Sequence, residues 1–180
     1  MIAGSINIDH VDYSMLESVD FTEYTETREA GGFWKTIGVA TPDFPLKSDV
    51  VHQTFDSGCP GWAHEIKQQF TWLLYSMVTI NKLAPGCFIP PHKDTLYRIQ
   101  QKALNNTIDV SNLVPVRINL FLQNKETGHM FEMDNTYLNK YNKGDYVIIT
   151  TEKVHSVANL GYLNRYTMQL TGFIHKDTII

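Results

Sequence analysis

The sequence predicts a mainly β fold, a β-sandwich or jelly roll with supporting helices, and three observations carry that expectation. From Met77 onward, short runs rich in β-branched and aromatic residues recur, divided by Gly, Asn and Pro turns. A single segment of helical period precedes them. The 180 residues, 43% apolar and 19% charged, suffice for one domain spanning 1–180 whose core needs no disulfide or structural metal.

Residues 1–60 are turn-rich: Gly31-Gly32, Pro42, Pro45 and Gly58 to Pro60 interrupt apolar runs such as 33–39. They read as short strands and loops wrapped around a later core. In residues 61–76, Trp62, Ile66, Phe70, Leu73 and Leu74 fall at helical spacing opposite Glu65, Lys67 and Gln68, the pattern of a helix packed on a sheet. Residues 77–174 then supply the jelly-roll core, with strands at 77–83, 116–123, 129–133, 146–151, 154–158 and 165–174. The polar stretch 97–113 interrupts them and reads as an insertion, partly helical, over one mouth of the barrel. Trp34, Trp62, Trp72 and Tyr97 are available to shape a pocket, although aromatics in such numbers also serve as core.

The formal charge is −4 and the 15 basic residues are scattered, which argues against a nucleic-acid groove. The nearest thing to a basic patch, residues 140–143, holds two lysines. Cys59 and Cys87 lack metal-type or redox-type spacing and read as free thiols in a reducing compartment. The opening residues lack the basic and apolar regions of a signal peptide, and no run approaches 18 apolar residues. A soluble, cytoplasmic protein without a membrane partner is expected.

Chemistry concentrates in three places. In Pro90-Pro91-His92-Lys93-Asp94, residues two apart in an extended segment point the same way, so an imidazole and a carboxylate share a face. The prolines stiffen the approach. Downstream, His155 lies in Val154-His155-Ser156-Val157 and completes a set of two histidines and one carboxylate. That set leaves open positions on an octahedral metal, as non-haem iron oxygenases require, yet zinc hydrolases use the same ligand types.

Arg165 begins a strand ten residues after His155, and an antiparallel return across Asn159-Leu160-Gly161-Tyr162 would set it beside the strand carrying His155. On that strand Arg165, Thr167, Gln169 and Thr171 share one face, and Tyr166, Met168 and Leu170 the other. A polar row directed into a barrel needs a ligand or a hydrogen-bond network, and a guanidinium there grips a carboxylate through two parallel hydrogen bonds. Arg117 and Asn119 share a face opposite Ile118 and Leu120, and Thr79 and Asn81 share another. These residues are candidates to line the same cavity, although Arg117 equally suits a salt bridge at a sheet edge. His129 and His175 play no part in this scheme, and His129 reads as a surface residue.

With His92-x-Asp94, the distal His155 and Arg165 in place, the chain resembles the Fe(II)/2-oxoglutarate-dependent dioxygenases. Arg117 in Val-Arg-Ile-Asn-Leu, Gly128-His129-Met130-Phe131-Glu132 and Lys143-Gly144-Asp145 resemble the aspartyl/asparaginyl β-hydroxylase-like branch, which includes hydroxylases of free proline. The likeness covers roughly residues 77–173. It implies a double-stranded β-helix, cupin-like, with Fe(II) on His92, Asp94 and His155. The same likeness implies 2-oxoglutarate held by Arg165 with help from Arg117, Asn119, Thr79, Asn81 and Thr167, O2 as oxidant, and no catalytic side chain beyond the metal ligands. The expected substrate is an amino acid, an amino-acid or peptide side chain, or a related small molecule. Aspartyl/asparaginyl enzymes lack the metal carboxylate and carry a histidine two residues after the strand arginine; here Asp94 is present and Asn119 holds that second place, which favours the free-amino-acid comparison. Two other readings stay open: a cupin-like hydrolase or isomerase using Zn²⁺ or Mn²⁺ on the same triad, and a non-catalytic jelly-roll binding protein.

Overall fold

The computed structural model describes residues 1–21, 25–27, 49–55 and 58–178. Along the chain come β1 (Gly4–Ser5), α1 (Tyr13–Glu17), β2 (Thr25–Thr27), β3 (Asp49–Phe55), α2 (Gly61–Gln68), β4 (Leu74–Leu83) and β5 (Cys87–Lys93). Then follow α3 (Tyr97–Asn105), β6 (Leu113–Phe121), β7 (His129–Met133), β8 (Thr136–Tyr137), β9 (Asp145–Thr150), β10 (Val154–Asn159) and β11 (Arg165–His175). The expected run 33–39 and Trp34 lie outside the described residues.

The described strands pair in two antiparallel sheets, β1-β9-β6-β11-β4-β3-β2 and β5-β10-β7-β8. From β4 onward the chain winds back and forth between them: β4, β6, β9 and β11 in the larger, β5, β7, β8 and β10 in the smaller. This is a double-stranded β-helix, the mainly β jelly roll that the strand pattern predicts.

Period-two alternation divides β11 as expected, but both of its faces are buried. Tyr166, Met168 and Leu170 join Val78, Ile80, Val116, Ile118 and Leu120 in the main core, beneath Leu16 of α1 and Ala63 and Ile66 of α2. The opposite row is polar and turns toward the smaller sheet. The register sets Arg165, Thr167 and Gln169 beside Leu83, Asn81 and Thr79 of β4, and Thr167, Gln169 and Thr171 beside Phe121, Asn119 and Arg117 of β6. One face is therefore the hydrophobic seal of the barrel against its helices, and the other is its polar interior.

Three sequence expectations need correction. The supporting helix ends at Gln68, not 76. Phe70 and Trp72 turn the chain, their rings meeting edge-on at 5.8 Å, and Leu74 already starts β4. Leu73 kept the helical spacing because it reaches the same core from a turn. Second, β11 does not return beside β10; it pairs with β4 and β6 in the other sheet. The connector crosses between sheets, tied by Asn159, whose Nδ2 donates to the carbonyls of Leu83 and Leu163 at 2.8 Å each. Third, Arg117 is not at a sheet edge, because β6 lies between β9 and β11.

The expected insertion at 97–113 does contain a helix. It is α3, whose Ile99 and Ala103 pack with Leu96, Met77 and Phe173 in a second small core. Cys59 and Cys87 are free thiols. No helix among the described residues is long and apolar enough to cross a membrane.

Candidate metal centre

His92 and His155 come from neighbouring strands of the smaller sheet. They are direct cross-strand partners of β5 and β10, with ring centroids 4.3 Å apart. Strand β5 tolerates Pro90 and Pro91 because it is the sheet edge, where a missing N–H breaks no interior ladder. The register of β10 shifts between His155 and Val157, an irregularity of the kind that re-aims side chains near functional sites. Asp94, one residue beyond β5, is buried.

The three side chains converge. Nε2 of His92 lies 3.7 Å from Oδ1 of Asp94, and Nε2 of His155 lies 3.8 Å from Oδ2. Each histidine turns its other nitrogen to a backbone carbonyl: His92 Nδ1 to Pro90 O at 2.8 Å, and His155 Nδ1 to Lys153 O at 3.4 Å. Protons on both Nδ1 atoms satisfy those carbonyls and leave both Nε2 lone pairs directed inward, the arrangement a metal-ligating histidine needs. Burial, and next the neighbouring His92, push His155 down to about 4, so its ring is neutral at physiological pH.

The candidate ligand atoms all lie within 4.8 Å of one another. Asp94 Oδ2 is buried and accepts no hydrogen bond of good geometry among the described residues, although Arg117 Nη1 stands 2.7 Å from it. A buried carboxylate facing the Nε2 atoms of two imidazoles is the donor set of a cation site. Two nitrogens and one oxygen suit Fe(II), Mn(II) or Zn(II), so the residues fit a divalent metal.

Arg117 adds a cation to this cluster. Its Nη1 stands 2.7 Å from both Asp94 oxygens and donates to Oδ1, while Nε donates to Thr171 Oγ1 at 3.3 Å. Of the two roles the sequence offered Arg117, a cavity-lining group for a co-substrate or substrate and a salt bridge, the structure shows a salt bridge, made to a metal-ligand candidate and not at a sheet edge.

Arg165 sits elsewhere in the interior, 3% exposed, with Nε and Nη2 lacking hydrogen-bond partners among the described residues. Its guanidinium lies over the Phe121 ring, 5.7 Å from the centroid. Burial lowers its pKa from the ordinary arginine value, and the adjacent Tyr141 hydroxyl opposes that shift. Tyr141 is buried, stacks on Phe121 at 3.8 Å, and its hydroxyl has no partner meeting hydrogen-bond geometry among the described residues. Rings link this end to the triad, with Phe121 meeting Phe131 edge-on at 5.8 Å and Phe131 lying 6.4 Å from His155.

The remaining candidates share the interior row. Thr79 Oγ1 bonds Thr54 Oγ1 at 3.1 Å, and Asn81 Nδ2 reaches Thr167 Oγ1 at 3.5 Å. Asn119 is buried, with Nδ2 unpartnered among the described residues.

His129 corrects the sequence reading: it is fully buried, not a surface residue. Its position on β7 pairs with Asn159 of β10, and its Nε2 lies 3.4 Å from Leu163 O. Desolvation lowers its pKa, and the charge of Arg165 pushes the same way. Its alternation with Phe131 on a strand was the signal for an inward ring. Tyr141 was missed because it sits between the two lysines read as a basic patch; a lone aromatic in a polar loop was the available clue.

No family model matches the chain, and no curated protein matches it. Among solved structures it is similar to a protein described as a predicted oxalate decarboxylase from Thermotoga maritima, at 15% identity over 71% of this chain and 84% of that one, with a TM-score of 0.44. It is also similar to the cupin domain of Schizosaccharomyces pombe Cnp3, at 11% identity over 73% and 69% with a TM-score of 0.42. KdgF from Halomonas sp. is similar at 12% identity over 72% and 84% with a TM-score of 0.40. Likeness at these levels says nothing of substrate or reaction.

Proposed function

We propose that the chain is an Fe(II)- and 2-oxoglutarate-dependent oxygenase that hydroxylates an amino acid, an amino-acid side chain or a related small substrate. The observation that carries this reading is Arg165, a buried guanidinium whose Nε and Nη2 have no hydrogen-bond partner among the described residues, in the barrel that also holds the triad. A buried charge without a counter-ion costs several kcal/mol, and no carboxylate among the described residues pairs with Arg165, which fits a bound anion as its partner. A carboxylate would take the two free donors in parallel and a further hydrogen bond from Tyr141.

In this reading His92, Asp94 and His155 hold the metal, and the Nδ1 contacts to Pro90 and Lys153 keep the two imidazoles aimed. Arg165 and Tyr141 bind the far carboxylate of 2-oxoglutarate and so fix the position of its keto-acid end. Phe121 and Phe131 wall the space between and exclude water. When bound, the iron supplies the oxidising chemistry, with succinate and CO2 as the co-substrate's products.

A second reading, a cupin-like hydrolase or isomerase using the same triad, is favoured by Arg117. A cation bonded to a ligand carboxylate withdraws charge from a metal and strengthens it as a Lewis acid, which suits water activation or enolisation. Conversion of 2-oxoglutarate to succinate by wild type and Arg165→Met separates the two. The oxygenase reading expects turnover in wild type, loss in Arg165→Met, and unchanged metal uptake. No succinate from any iron-loaded form contradicts it and favours the hydrolase or a non-catalytic binding protein.

A further inference from the structure

We infer that Arg117 is a charge gate on the metal centre: it competes with the metal for the Asp94 carboxylate and makes tight metal binding depend on an anionic ligand. The inference rests on the triad's being a divalent-metal site, but its first arm needs no 2-oxoglutarate.

The geometry is that of a competitor. Nη1 is equidistant, at 2.7 Å, from both oxygens of Asp94, so it covers the carboxylate rather than one lone pair. The guanidinium is also held in place. Nε donates to Thr171 Oγ1, and Thr171 is the cross-strand partner of Arg117 and is buried. Strand β6 has neighbours on both sides, so the backbone of Arg117 has little room to retreat.

Charge then decides the consequence. In the metal-free centre the charges of Arg117 and Asp94 sum to zero. A divalent ion entering this balanced cluster leaves it with two net positive charges, where an aspartate without the arginine would leave one. Arg117 and a metal held by Asp94 would share one carboxylate, and like charges that close repel strongly where water is scarce. An anion that binds the metal and reaches Arg165 removes most of that excess, so the metal and the anion favour each other. By linkage that coupling is reciprocal, and such couplings run to roughly 5–150-fold in affinity.

A purely structural brace makes the opposite forecast. If Arg117 only held Asp94 in position, its removal would weaken metal binding; as a gate, its removal tightens it.

The test is a Co(II) titration of the metal-free protein, followed by the visible cobalt bands, for wild type, Arg117→Gln, Arg117→Lys and Thr171→Val, alone and with 2-oxoglutarate. The gate expects Arg117→Gln to bind Co(II) alone on the order of tenfold tighter than wild type and to lose most of the enhancement given by 2-oxoglutarate. Arg117→Lys, which keeps the charge, should stay near wild type. Thr171→Val, which unties Nε with both charges in place, should tighten binding by a smaller factor and serves if Arg117→Gln does not fold. Equal or weaker Co(II) binding in folded Arg117→Gln and in Thr171→Val would overturn the gate and leave the triad standing. Failure of wild type to bind Co(II) at all would overturn the triad reading beneath it.

Discussion

His92 and His155 are direct cross-strand partners on β5 and β10, and that pairing places two imidazoles 4.3 Å apart before any metal is considered. The pairing depends on register: a slip of one residue on either strand would turn one ring to the opposite face. Backbone pairing thus sets the histidines, and only Asp94, just beyond β5, reaches the centre from outside the ladder.

Arg165 gives a prediction that joins stability to function. Replacing a buried guanidinium whose Nε and Nη2 lack hydrogen-bond partners among the described residues by an apolar chain of similar volume removes a desolvation cost. Arg165→Met is therefore expected to stabilise the ligand-free protein by about 1–4 kcal/mol in urea denaturation. The same variant should lose the rise in melting temperature that 2-oxoglutarate gives the metal-loaded wild type. A destabilised Arg165→Met would show that the guanidinium is satisfied within the chain.

Glu17 gives a pH dependence remote from the site. The Tyr166 hydroxyl, then Asn164 Nδ2 at 3.1 Å and Lys82 Nζ at 3.2 Å, hold its carboxyl down to about 2 from the ordinary 4.5. The unfolded chain takes up this proton first as pH falls. The contribution is therefore present above pH 4.5 and is lost on acidification through about pH 2. Because the side chain is 39% exposed, solvent screens the effect. In urea titrations across that window, Glu17→Gln should show a shallower fall in midpoint than wild type; parallel curves would remove Glu17 from the acid response.

Gly128 tests the crossing between the sheets. Its φ is +88°, and a Cβ there would collide with the backbone of Leu160 and Gly161 in the β10–β11 connector. The amide of Leu160 also donates to Gly128 O at 2.9 Å. Gly128→Ala is expected to destabilise by about 1–3 kcal/mol or more, read as a lower urea midpoint at unchanged slope. Since this connector leads into Arg165, loss of 2-oxoglutarate binding should exceed loss of metal binding.

The architecture and the triad were legible because both rest on local pattern. Alternation along β11 separated Tyr166, Met168 and Leu170 from the polar row, and residues two apart placed His92 with Asp94. What the sequence could not supply was which strands pair. Arg165 was expected beside the strand of His155, yet the chain crosses to the other sheet, a choice fixed by Asn159 and the close approach of Gly128 to Gly161. His129 was misassigned for a related reason: a histidine on a half-polar strand is turned inward only by what packs above it, here Leu163 and Arg165. Arg117 was placed on the correct face, but its partner Asp94 arrives from the smaller sheet, beyond the reach of strand periodicity.

The central claim is that one barrel interior holds both a metal triad and an anchor for 2-oxoglutarate. It is tested most directly by anaerobic titration of the metal-free protein with Fe(II) and 2-oxoglutarate, watching for the weak visible metal-to-ligand charge-transfer band. The expected result is a band that needs both components, disappears in His155→Ala, and requires much higher 2-oxoglutarate in Arg165→Met. Tight Fe(II) binding with no band at saturating 2-oxoglutarate would contradict the claim.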